Sequence, residues 1–227
     1  MRLLLLITAS VLLLVSVSAV FSQSRDITDA ELSKLVFDAA AKRKEMTFRE
    51  RVSTTGFSPG TSSEALYEFG PNDSYHYRSV KTRNGIETKA EGIRIGTVNY
   101  TRQENGSWIK DPPPKANKVG GSGSGNGTGY GTGPKVPPEE TTEIRFVGSD
   151  KIHGQRTSHY RKIHVVKFVD RTPPLTRKLV DEYWFNADGL LVKESHEDLF
   201  DNSGHPYTSV TEYEYDKDIK ITAPIPD

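Results

Sequence analysis

Cysteine is missing from all 227 residues. That excludes a disulfide framework, thiolate chemistry, a cysteine-ligated metal and an acylated cysteine behind a leader, so the fold must rest on a packed core. An excess of charge of one sign is missing too. Thirty lysines and arginines face 30 aspartates and glutamates, giving a formal net charge of +0, and overall charge offers no reason to expect a nucleic acid or an anionic membrane as partner. Past the leader, no apolar run approaches the roughly 20 residues of a spanning helix. Catalytic signatures are lacking as well: there is no G-x-S-x-G elbow and no pair of histidines at the spacing of a zinc helix. The chain is therefore read as a non-enzyme without cofactor.

What is present begins with "MRLLLLITASVLLLVSVSAVFSQS". One positive charge, an apolar run and small residues make a secretory leader, with cleavage expected after Ala19 or after Ser22. Residues 1–22 are assigned to that leader, and 23–227 to a single soluble domain in the periplasm or outside the cell. The tract "KVGGSGSGNGTGYGTGPKVPP" (Lys118 to Pro138) has the look of a phosphate loop. Its glycines from Gly121 to Gly133 all fall on odd positions, whereas a G-x-G-x-x-G fingerprint needs both parities. Pro134 and Val136 flank Lys135 where a Walker motif needs glycine and a hydroxyl. The tract is read as a flexible insertion at about 112–138.

One helix is expected, in "TDAELSKLVFDAAAKRKE". Thr28 and Glu31 form a capping box, Leu32, Leu35, Val36, Ala39 and Ala40 share a face, and Lys42, Arg43 and Lys44 suit a helix C-terminus. From Met46 onward the chain alternates β-branched and aromatic residues with polar ones. Turn pairs at Asn84–Gly85, Asn105–Gly106 and Asp188–Gly189 punctuate it. Eleven strands are predicted, near 46–57, 64–70, 74–81, 86–94, 97–103, 107–110, 141–149, 157–169, 176–186, 190–199 and 207–215, with a closing extended piece at 218–222. Short spacings make the sheet antiparallel, and one helix covers only part of one face. His153, His159 and His164 are close in sequence, but His159 and His164 have opposite parity on a strand, so no metal site is assigned and solvent-facing histidines are expected.

The aromatics carry the functional reading. Tyr67, Phe69, Tyr75, Tyr77, Tyr100, Trp108 and Trp184 lie on predicted strands, where large rings either fill a core or line an apolar groove. They are taken as candidate lining residues.

Three stretches resemble the LolA/LolB-like superfamily of bacterial envelope proteins: "IRIGTVNYTRQENGSWIK" (Ile93 to Lys110), "DEYWFNADGLLVK" (Asp181 to Lys193) and "YEYDKDIKITAP" (Tyr213 to Pro224). The resemblance implies an α+β, mainly antiparallel fold, an unclosed half β-barrel curved over an N-terminal amphipathic helix. It implies a periplasmic carrier of a lipid, a lipoprotein acyl chain or another amphiphile. The alternative is a protein-interaction or envelope-stress sensing module that meets an envelope protein with the same fold.

Overall fold

The structure is a computed structural model that describes residues 27–56, 58–112, 136–200, 206–215 and 218–225. The leader expected at 1–22 and most of the glycine tract fall outside the described residues.

Helix α1 spans Asp29–Arg43. Its start is fixed by the expected capping box: Glu31 N–H donates to Thr28 Oγ1 at 3.2 Å, and Thr28 N–H donates to Glu31 Oε2 at 2.9 Å. Leu32 and Ala39 are buried, Leu35 and Val36 half-buried.

The strands are β1 (Phe48–Thr55), β2 (Thr61–Phe69), β3 (Tyr75–Arg83), β4 (Ile86–Ile95), β5 (Val98–Arg102), β6 (Trp108–Lys110), β7 (Glu139–Ile152), β8 (Gln155–Phe168), β9 (Leu175–Asn186), β10 (Leu191–Phe200) and β11 (Tyr207–Tyr215). They form one antiparallel sheet in the order β6-β5-β4-β3-β2-β1-β11-β10-β9-β8-β7. Strands β6 and β7 end the order unpaired with each other, so the sheet is unclosed. Every pairing joins consecutive strands except that of β1 with β11.

The β7–β8 hairpin runs about three residues further than the sequence suggests. Its turn places His153 at φ 48° and Gly154 at φ 79°, a left-handed pair in which histidine takes the place usually held by Asn or Asp. The closing piece at 218–222 joins no strand. It docks by side chains instead: Ile219 is buried, and a Cβ built at Gly70 would meet Ile221 Cδ1 at 3.2 Å.

Register assigns the faces. Helix α1 packs on the face that carries Phe48, Phe69, Phe185, Leu191 and Tyr213, with Tyr160, Tyr183 and Tyr215 around them. This is the inner face. Each such apolar side chain contributes about 1.5–3 kcal/mol on full burial, and the helix is held by this layer more than by its own propensity. Lys162 adds a link to the first helical turn through Asp29, 2.6 Å away.

Candidate functional site

The registered pairs Tyr67↔Tyr77 and Phe69↔Tyr75 bring four rings together on the inner face. Their centroids form a panel with neighbour separations of 6.2 to 6.3 Å, and Phe48 extends it by stacking on Phe69 at 4.4 Å. Gly92, opposite Tyr77 on β4, leaves room for the Tyr77 ring; a Cβ there would fall 2.4 Å from Tyr77 Cε1. Phe69 belongs to the layer under the helix, whereas Tyr67, Tyr75 and Tyr77 reach past it and stay half-buried.

A cavity of about 830 Å³ adjoins this panel, between the C-terminal end of α1 and the β2–β3 turn. Phe48, Phe69, Tyr75 and Met46 supply its apolar wall, and Arg43, Lys44 and Arg94 its cations. The volume lies within the range of small-ligand sites. The Arg43 guanidinium lies over the Tyr213 ring at 4.6 Å and the Phe48 ring at 5.4 Å, which fixes it at the cavity edge. Beneath it, burial pushes the Glu50 carboxyl above its ordinary range, Arg43 pulls it back and Glu194 pushes it further up. Tyr213 donates to Glu194 at 2.7 Å. Burial, aided by Asp181 and Glu194, pushes the Tyr183 hydroxyl up to about 12. These groups form a polar cluster on the inner face that reaches the cavity through Arg43.

The remaining three candidates lie elsewhere. Tyr100 pairs with Ile93, Trp108 with Arg102, and Trp184 with His159 and Lys193. All belong to the parity that faces away from the helix. The seven aromatics thus divide between two faces and do not line one groove. Trp184 is buried in a small outer cluster. It stacks on His159 at 4.2 Å, donates from Nε1 to Asp150 Oδ2 at 2.9 Å, and lies under Lys193 Nζ at 5.3 Å.

His159, expected at the surface, is buried at 7% exposure. Its Nδ1 lies 3.1 Å from Asp150 Oδ2, and its Nε2 lies 3.4 Å from Glu182 Oε1 without a well-formed hydrogen bond. Asp150 and Glu182 can both only accept, so whichever ring nitrogen carries the proton faces a carboxylate. Desolvation depresses the His159 pKa, and the nearby carboxylates of Glu182 and Asp150 only partly offset it. His164 lies on the opposite face beside Thr142, so the parity argument against a shared metal holds for this pair. Among the described residues no group of three or more metal-ligating side chains could hold an ion.

The outer face also carries a cross-strand ladder that the sequence reading missed: Arg49, Glu68, His76, Glu91 and Arg102. Arg49 Nε donates to Glu68 at 2.9 Å, His76 bridges Glu68 at 3.1 Å and Glu91 at 2.8 Å, and Arg102 closes on Glu91 at 2.7 Å. The signal was present in polar residues of one parity on five strands, but only register shows that they meet. Burial pushes both carboxyls up, yet hydrogen bonds from the arginines and His76 outweigh it and hold Glu68 and Glu91 below their ordinary range.

These shifts predict two acid steps. A folded pKa depressed below the unfolded one gives stability that is complete above the unfolded pKa and lost as pH falls through the folded value. For His159 the loss begins near its reference value of 6.5, and for Glu68 and Glu91 near 4.5. Thermal melts should therefore fall as pH drops below about 6.5 and fall more steeply below about pH 4.5. His159→Gln should flatten the upper step and keep the lower one; an unchanged upper step would assign it to other groups.

No family model matches the chain, and no curated protein matches it. Among solved structures, LprF from Mycobacterium bovis is similar at 14% identity over 86% of this chain and 98% of that chain, with a TM-score of 0.43. MucB in the Pseudomonas aeruginosa MucA/MucB complex is similar at 12% identity and a TM-score of 0.35, over 81% of this chain and 56% of that chain. The matched region thus spans about half the length of that structure. A LolA superfamily protein from Nitrosomonas europaea is similar at 10% identity and a TM-score of 0.27, over 80% of this chain and 90% of that chain.

Proposed function

We propose that the protein binds and carries an amphiphile, a lipid or a lipoprotein acyl chain, on the inner face of its sheet. The observation that carries this reading is the uncovered part of that face. One helix covers the layer around Phe48 and Tyr213, and the rings of Tyr67, Tyr75 and Tyr77 are left half-buried, with Tyr75 lining a cavity of about 830 Å³. Aromatic surface held rigid on strands and open to solvent is apolar area that a ligand chain can cover. A periplasmic or extracellular address follows from the leader in the sequence; among the described residues no helix is long and apolar enough to cross a membrane.

The test is native mass spectrometry of protein purified after export, followed by organic extraction and lipid analysis. A co-purifying amphiphile at one per chain is the expected result. Tyr75→Ala with Tyr77→Ala should lower its affinity by about threefold to tenfold per ring, since a ligand covers only the exposed half of a ring whose full burial is worth about 1.5–3 kcal/mol. Both rings are half-exposed, so the variant should stay folded. An empty wild-type protein that also ignores added lipids would sink the reading.

A second reading rests on the edge of β7, whose 14 residues are paired on one side alone among the described residues. Such an edge can accept an extended peptide from an envelope protein by adding a strand. Slowed amide exchange confined to β7 on mixing with a partner would favour it.

A further inference from the structure

The inner side of α1 is used up by the core, but its opposite side is not. Phe37 is 73% exposed, although phenylalanine is among the side chains most often buried. Helical spacing lines it up with Ala30, Ser33, Lys34, Ala41 and Lys44, and all six are exposed. No acid occupies this stripe. Glu31 and Asp38 lie along one flank; Ala40, on the other flank, lines the cavity, as do Lys44 at the end of the stripe and Glu45 in the turn after it.

We propose that this side of α1 docks on an anionic lipid bilayer, with Phe37 inserted at the headgroup boundary and Lys34 and Lys44 on the anionic headgroups. A helix lying in a membrane interface sets aromatic or aliphatic side chains into the headgroup boundary and lysines or arginines on its polar face, and each lysine near an anionic surface adds attraction that salt screens. Lys34 is paired with Asp38 at 2.5 Å on an exposed i,i+4 step; such pairs are weak, so Lys34 remains available to headgroups. The neighbouring cations are already engaged, Lys42 with the Asp188 carbonyl oxygen at 2.6 Å and Arg43 with the rings of Phe48 and Tyr213. A net charge of +0 hides this local arrangement, because the acids that balance it lie off the stripe. Docking through this side would hold the end of the helix that borders the cavity against the lipid surface.

The inference stands apart from ligand carriage, because attachment to vesicles is read separately from uptake. The probe is sedimentation of the full mature chain with phosphatidylcholine vesicles, with and without a minority of phosphatidylglycerol. Binding is expected to the anionic vesicles and to weaken with salt. Phe37→Ser should reduce it by about tenfold or more and Phe37→Leu should largely restore it. Lys34→Glu with Lys44→Glu should remove the preference for phosphatidylglycerol. Phe37 contributes nothing to the core, so circular dichroism and lipid uptake should be unchanged in Phe37→Ser. Wild-type protein that stays in the supernatant, or a Phe37→Ser variant that sediments as well as wild type, would overturn the proposal.

Discussion

Phe48→Ala should cost about 3–5 kcal/mol, the usual penalty for emptying a buried aromatic site, and so remove a large share of a stability that for ordinary domains is about 5–15 kcal/mol. The residue is 8% exposed and joins three parts of the inner layer. It stacks on Phe69 at 4.4 Å, leans on Tyr213 and Tyr215 at 6.4 and 6.1 Å, and supports the Arg43 guanidinium. Because it begins β1, which pairs with both β2 and β11, the cavity left behind would lie at the seam between the two halves of the chain. Urea unfolding is the check: the midpoint should drop sharply for Phe48→Ala, while Phe37→Ala should shift stability by no more than about 0.5 kcal/mol, as is usual for surface changes. Similar midpoints for the two variants would mean that the helix does not pack as described.

Trp184→Ala should also be costly, about 3–5 kcal/mol by the same mechanism, yet leave ligand uptake intact. Read from the sequence alone, Trp184 is a candidate ligand contact. In the structure it belongs to the outer face, where it holds His159 by stacking and Asp150 by a hydrogen bond. Trp184→Phe keeps most of the ring and loses the indole donor. Asp150 is about half exposed, at 51%, so water can replace that donor and the cost should be about 1 kcal/mol. Measured together, the two variants should separate urea midpoint from lipid binding. A Trp184→Ala protein with normal stability and poor uptake would return the residue to the ligand site.

Much of the fold was legible because its signals are local. Thr28 and Glu31 announce the helix start, Asn84–Gly85 and Asp188–Gly189 announce tight turns, and the alternation in "ALYEF" and "SYHYR" places Tyr67 with Phe69 and Tyr75 with Tyr77. Other facts were not legible because they depend on what one strand meets on another. Within β9, parity shows only that Trp184 faces away from Tyr183 and Phe185. Which of these faces the helix takes is set by pairing, and pairing is displaced by irregularities between Phe146 and Gly148 and between Leu191 and Lys193. The exposed position expected for His159 failed for the same reason. The hairpin continues to the His153–Gly154 turn, and the extra length brings Asp150 onto the Trp184 indole. His153 near that tip reaches Glu212 of β11 at 3.5 Å.

The pairing of β1 with β11 bears on how the chain folds. Every other pairing in the sheet forms between neighbours in sequence and closes a hairpin, so each half can zip from its own turns. The β1–β11 ladder, from Phe48↔Tyr215 to Thr55↔Thr208, must instead close a loop that contains nearly the whole described chain. Closure entropy rises only slowly with loop length, but nothing is gained until the ends meet, and such non-local contacts set the pace of folding. The inner layer around Phe48, Phe69 and Tyr213 draws on both sides of this ladder, so the proposed amphiphile site is completed only when this non-local ladder forms.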